Sequence, residues 1–227
     1  MKSLRIYGVT LIMLFALGIV LLFFTKPYAH QVVSLFQYSP PPPPPPQTMV
    51  IGDKKGTATS VLLIKPNNFK VLDDIQRTLK TKLKFIHVIR NPFDNIATKL
   101  LRNLETREMA RDKSFKANNS TLLDEIITHY FNHVESAQRL HQYGKYEVLD
   151  IYAHEVISKP QENLQKLCNF LEVTNDKDYI DASSKLLYSK PSLTRHSIVW
   201  TSEQKLRVTN EMKKYPFMRP YSFDKNY

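Results

Sequence analysis

Cysteine is almost absent from this chain of 227 residues, and glycine is scarce. Cys168 is the only cysteine, which excludes an intrachain disulfide and a zinc cluster of cysteine type. Its setting, Leu164-x-x-Leu167-Cys168-x-Phe170-Leu171, is a helical apolar stripe, so the thiol reads as part of a core. Of the five glycines, Gly8 and Gly18 fall in an apolar N-terminal segment and Gly144 follows a long helical pattern, leaving Gly52 and Gly56 to build a loop around phosphate. Neither G-x-x-x-x-G-K-[S/T] nor G-x-G-x-x-G occurs, which argues against ordinary NTPase and dinucleotide sites. Acidic residues are also in deficit: 32 Lys and Arg face 21 Asp and Glu, a net charge of +11. That excess suits a polyanionic partner, and charge alone does not choose among nucleotide phosphates, acidic glycans, nucleic acid and an anionic membrane.

What is present begins with an apolar run. Residues Ile6 to Phe24 carry no charge and are bracketed by Arg5 and Lys26, close to the roughly 20 residues that cross a bilayer as a helix. The expectation is one transmembrane helix over 6–24, with a cytosolic tail at 1–5 because Lys2, Arg5 and the amino terminus outweigh Lys26. A cleaved signal peptide is the alternative. Residues 25–48 then form a stem whose unbroken prolines, Pro40 to Pro46, make a semi-rigid extended spacer. The domain occupies 49–227 and faces a lumen, as expected of a type II protein. The overlapping glycosylation sequons in Asn118-Asn119-Ser120-Thr121 are consistent with that side.

From Thr48 onward strand-like and helix-like pieces alternate, the pattern of an α/β sandwich. A short strand is expected at Met49–Ile51 and a helix at Val71–Leu83. Phe85 to Ile89 read as a strand covered on both faces, with His87 as a core residue, and a helix from Pro92 to about Arg111 follows. Arg90 ends the strand; Asn91 suits the helix cap, Pro92 its first position, and Asp94 the acidic place of a capping box. Ligands of open α/β sheets bind beyond the carboxyl ends of strands, where Arg90 emerges. Its planar fork suits phosphate, and Thr98 stands one helical turn past Asp94 with a hydroxyl on the same face. Ser120 to His141 is an amphipathic helix, Tyr146 to Tyr152 another strand, and a helix follows Pro160. Thr201 and Gln204 cap a last helix that Pro216 terminates.

The stretch from Phe85 to Thr98 resembles the sulfotransferase superfamily, which uses 3′-phosphoadenosine 5′-phosphosulfate (PAPS). Its signature is a strand, then Arg-x-Pro-x-Asp and a Ser, with the Arg and Ser holding the 3′-phosphate. The resemblance gives Arg90 and Thr98 those roles, Thr keeping the hydroxyl. A second likeness spans Val148 to Val173, where Tyr152, Glu155, Pro160, Phe170 and Leu171 match a strand ending in Tyr, an acidic turn, a Pro and a helix ending Phe-Leu. It implies that Tyr152 borders the adenine; packing on the following helix is the equally weighted alternative. A third is the basic loop Ser189 to His196, from which Arg195, preferred over Lys190, closes over the nucleotide.

The family's Lys-x-Gly-Thr-Thr phosphosulfate loop has one lookalike, Asp53-Lys54-Lys55-Gly56-Thr57-Ala58-Thr59. It stands too near Arg90 for that loop and looks more like the family's Lys-bearing strand end just upstream of the Arg strand, so Lys54 or Lys55 assists transfer. On that resemblance the first strand, the phosphosulfate loop and the usual acceptor-binding region are expected to be missing, as in a shortened form. No general base is placed; His196 has no motif behind it. The resulting expectation is a P-loop-like, three-layer α/β domain with a parallel sheet and an incomplete N-terminal part. It implies a Golgi-type membrane sulfotransferase moving a sulfuryl group from PAPS to a hydroxyl or amine, chiefly of a glycan, with no metal needed. The alternative is a catalytically inactive, membrane-tethered module that binds acidic glycan or a partner enzyme. Nucleic acid is not an expected partner.

Overall fold

The β-branched and aromatic run at Leu83–Ile89 forms the strand around which the domain is organised. In the computed structural model, residues 4–6, 9–11, 18–24, 50–53 and 56–225 are described. The strands are β1 (Leu4–Ile6), β2 (Val9–Leu11), β3 (Gly18–Phe24), β4 (Val50–Asp53), β5 (Leu83–Ile89) and β6 (Glu147–Tyr152). The helices are α1 (Gly56–Leu63), α2 (Phe69–Leu79), α3 (Pro92–Asn103), α4 (Ser120–Tyr143), α5 (Ala153–Ser158), α6 (Pro160–Phe170), α7 (Lys177–Ser184) and α8 (Ser202–Met212). β1 and β2 pair with each other, and the other four form a sheet in the order β4-β3-β5-β6.

Alternation along β5 divides the core. Leu83, Phe85 and Ile89 face α1 to α4 and the C-terminal segment, whereas Ile86 packs with Ile151, Val156, Leu167 and Leu171 beneath α5 and α6. Helices therefore cover both faces, as a three-layer sandwich requires. The sheet itself departs from the expected parallel arrangement. β5 and β6 are parallel, but β3 lies antiparallel to both β4 and β5. β4 and β5 consequently run the same way, with β3 filling the place between them.

The expected transmembrane helix needs the same correction. Of residues 6–24, those described are all β-strand, and among the described residues no helix is long and apolar enough to cross a membrane. Seven apolar residues, Gly18 to Phe24, fit a strand hydrogen-bonded on both sides as well as they fit a helix, and periodicity does not distinguish the two. The other residues of that span and the proline stem lie outside the described residues.

Several boundaries shift for local reasons. α2 stops at Leu79 because Lys80 turns left-handed (φ 48°), and Leu83 then opens β5. α3 ends at Asn103 rather than near Arg111, with Glu105 left-handed (φ 55°) just beyond. α8 ends at Met212, and Pro216 starts a separate 3-10 turn. Cys168 is buried, and burial pushes its thiol pKa up.

Gly144 closes α4 with φ +64°, so the chain reverses and carries Lys145 and Tyr146 back over α2. There Asp73 accepts hydrogen bonds from Tyr143 (3.0 Å) and Tyr146 and pairs with Lys145 (2.8 Å). The Lys145 and Tyr146 bonds, opposed by slight burial and helped by Tyr143, hold the Asp73 pKa at about 2 against an ordinary 3.8. A carboxyl depressed in the folded state contributes stability above its ordinary pKa and loses it as pH falls through the folded value. Asp73→Asn is therefore expected to flatten the acid limb of stability between 3.8 and about 2, as read by circular dichroism.

Candidate functional site

The site grows from the junction of β5 and α3. Asn91 caps α3 by accepting from the Phe93 amide (3.1 Å), and its own amide donates to the Ser222 carbonyl (2.9 Å), tying the helix start to the C-terminal segment. Pro92 occupies the first turn as expected. The capping box does not close, because the Asp94 carboxylate has another partner. Arg195 donates to it from its backbone amide (2.9 Å) and its guanidinium (2.5 Å), and both side chains are buried. The remaining guanidinium nitrogens donate to the Phe223 and Lys225 carbonyls, each at 2.7 Å. Burial raises the Asp94 pKa, and the bonds from Arg195 and the nearby Arg90 charge work against that rise.

Arg195 is thus a structural rivet, 0 % exposed and not among the residues lining the cavity described below. The expectation that it closes over a nucleotide is corrected: its fork is fully engaged by a carboxylate and two carbonyls inside the domain. Lys190, the second choice in the same loop, does line the cavity.

Arg90 and Thr98 meet as expected. Arg90 donates to the Thr98 hydroxyl at 3.4 Å, to the Thr194 hydroxyl at 3.5 Å and to the Ser192 carbonyl at 2.9 Å. The two long bonds are weak by geometry. The Thr98 and Thr194 hydroxyls lie 2.9 Å apart, and both reach the Asp94 backbone carbonyl, at 2.7 and 2.8 Å. Burial lowers the Arg90 pKa, while Asp94 offsets part of that and Arg102 adds repulsion; a guanidinium nonetheless stays cationic.

These groups border a cavity of about 410 Å³, within the roughly 300–1,000 Å³ of small-molecule sites. Arg90, Arg102, Arg107 and Lys190 all line it, and among the described residues none of the four belongs to an ion pair. The one carboxylate among its described lining residues, Asp94, is held by Arg195. Four cations facing one concavity, with no ion-pair partner among the described residues, are suited to a multiply charged anion.

Tyr152 caps β6 but does not line the cavity. Its ring packs near those of His154 (5.8 Å) and Tyr221 (6.2 Å), which do. The Tyr221 hydroxyl donates to the Ile89 carbonyl (3.0 Å), and His154 Nδ1 sits 3.0 Å from the Tyr221 hydroxyl oxygen. Burial lowers the His154 pKa, with Glu155 opposing. Lys54 and Lys55 lie outside the described residues, between β4 and α1. The arrangement adds residues the sequence did not single out. Arg102 stands four residues past Thr98 on the same helix face, a legible signal, whereas Arg107, Tyr188, Ser192 and Thr194 arrive by tertiary folding alone.

A sheet with helices on both faces and a cationic cleft at the carboxyl end of its Arg-bearing strand define an α/β domain. A model of the Sulfotransferase family matches residues 35–178, more than half of the chain, and the chain belongs to that family. Sulfuryl transfer to an acceptor is the chemistry this membership carries. No curated protein and no solved structure matches the chain.

Proposed function

We propose that the cavity binds PAPS and that the chain moves its sulfuryl group to a hydroxyl or amine, chiefly on a glycan. The observation that carries this reading is the convergence on one concavity of nucleotide size of Arg90, Arg102, Arg107 and Lys190, none in an ion pair among the described residues. Arg90 and the Thr98 and Thr194 hydroxyls take the 3′-phosphate, exchanging two long internal bonds for shorter charge-assisted ones. Tyr188, 73 % exposed at the cavity edge, offers a ring face to the adenine. Tyr152 shapes the wall from behind through His154 and Tyr221. Transfer forms a bond from the acceptor oxygen or nitrogen to sulfur, breaks the bond from sulfur to the bridging oxygen so that PAP leaves, and releases the acceptor's proton to solvent. Lys54 or Lys55 neutralises the charge that then grows on the 5′-phosphate.

The glycan-binding alternative, without catalysis, asks for an open basic face, and a concave cluster fits it less well than it fits a nucleotide. The lumenal, Golgi placement rests on the exposed sequon residues Asn118 and Asn119; the strand at Gly18–Phe24 speaks against a helical anchor through those residues.

Calorimetric titration with adenosine 3′,5′-bisphosphate (PAP) and with 5′-AMP tests the assignment. PAP is expected to bind far more tightly, because only it carries the 3′-phosphate. Thr98→Val is expected to weaken PAP by about 1 kcal/mol, roughly fivefold, and to leave 5′-AMP unchanged. Equal affinities for the two nucleotides in the wild-type chain would overturn the reading.

A further inference from the structure

His87, His141 and Asp150 form a second cluster, apart from the cavity. His87 and Asp150 are cross-strand partners in the parallel β5–β6 pairing, so their side chains leave the sheet on one face. The last turn of α4 brings His141 down onto that pair. His87 Nδ1 lies 2.9 Å and His141 Nε2 3.1 Å from one atom, Asp150 Oδ1. All three donor atoms fall within 4.8 Å of one another.

We infer that His87, His141 and Asp150 are a binding site for a divalent transition-metal ion of the Zn²⁺, Co²⁺ or Ni²⁺ class. Two imidazole nitrogens and one carboxylate oxygen are the donor set such ions prefer, and hard, oxygen-seeking Ca²⁺ and Mg²⁺ do not. A tetrahedral ion with bonds of about 2.0–2.1 Å holds its donor atoms about 3.3 Å apart. Two of the three separations here, 2.9 and 3.1 Å, are already near that figure.

Access and support fit as well. His87 is 9 % exposed at its side chain, while His141 and Asp150 are 29 % and 30 % exposed. One ligand is thereby anchored in the core, and the open side leaves a fourth position for water. Phe217 packs edge-on to the His87 ring (4.8 Å, 90°) and near-parallel to His141 (6.0 Å, 29°), holding both imidazoles in place. The ion ties α4 to β5 and β6 three residues before Arg90, and none of its ligands lines the cavity, so its role is structural.

The test uses the full chain, stripped by chelator and titrated with Zn²⁺ by calorimetry and with Co²⁺ by visible absorption. Expected are saturation at one ion per chain, an intense tetrahedral Co²⁺ band, and a rise in Tm with Zn²⁺ that chelator reverses. His141→Ala and Asp150→Asn, each removing a half-buried ligand, are expected to weaken Zn²⁺ at least about 10–100-fold, the loss seen even for outer-shell partners. Their folding is checked by circular dichroism, and PAP affinity should be unchanged in both. Absence of saturable binding by the wild-type chain, or Zn²⁺ affinity indifferent to both substitutions, overturns the site and leaves a hydrogen-bonded His-Asp-His cluster.

Discussion

Asp94→Ala is expected to destabilise the domain by about 3–5 kcal/mol, the cost of leaving a buried charge without its partner. For a domain of this size that lowers Tm by roughly 6–20 °C, measurable by thermal or urea unfolding. Arg195 is 0 % exposed, and a guanidinium does not neutralise itself by losing a proton. Arg195→Met should be milder on the Asp94 side, because a lone buried carboxyl takes up a proton instead. The double variant Asp94→Leu, Arg195→Met recovers only part of the loss, since the Phe223 and Lys225 carbonyls lose their donor. Arg195 also accepts from the Trp200 indole through its own carbonyl (3.0 Å). The ion pair therefore anchors both the Thr194–Ser197 turn and the C-terminal segment to the start of α3. A Tm for Asp94→Ala within a degree or two of wild type would show that the pair is dispensable.

The same pair explains what the sequence does and does not disclose. The strand ending at Arg90 and the capped helix carrying Thr98 are local patterns, and the two side chains meet as their spacing implies. Two capping boxes are equally visible in the sequence. The one at Thr201 and Gln204 closes, with bonds of 3.1 Å in both directions, and among the described residues no distant group competes for Gln204 Oε1. The one at Asn91 and Asp94 stays open because Arg195, 101 residues away in the chain, takes the carboxylate. Sequence separation of that order is invisible to pattern. It also decides which cation of the Lys190–Arg195 loop is engaged internally and which faces the cavity, and charge density along the loop is the same either way. Gly18–Phe24 shows a different limit: length and apolarity are shared by a membrane helix and a strand enclosed between two others, and only the hydrogen-bonding partners separate them.

Arg90→Ala is expected to weaken PAP by about 3 kcal/mol, roughly 100-fold or more, through loss of a bidentate pair of charge-assisted bonds. The structural cost should be small by comparison. In the free protein Arg90 makes one good bond, to the Ser192 carbonyl, and two long ones to hydroxyls, with no carboxylate in ion-pair range among the described residues. Arg90→Lys separates charge from geometry. It keeps a cation at the mouth of β5 but gives up the fork, so PAP affinity should fall between wild type and alanine. The dependence on salt supplies an independent reading. Four cations around one cavity, outside any ion pair among the described residues, imply that PAP binding weakens steeply as ionic strength rises, and Arg90→Ala should reduce that slope because one charge has gone. A glycan held on a diffuse basic face would also weaken with salt, yet it would be nearly indifferent to the loss of this one half-buried side chain. PAP affinity that is unchanged in Arg90→Ala, with the fold intact by circular dichroism, would remove the phosphate assignment from the end of β5.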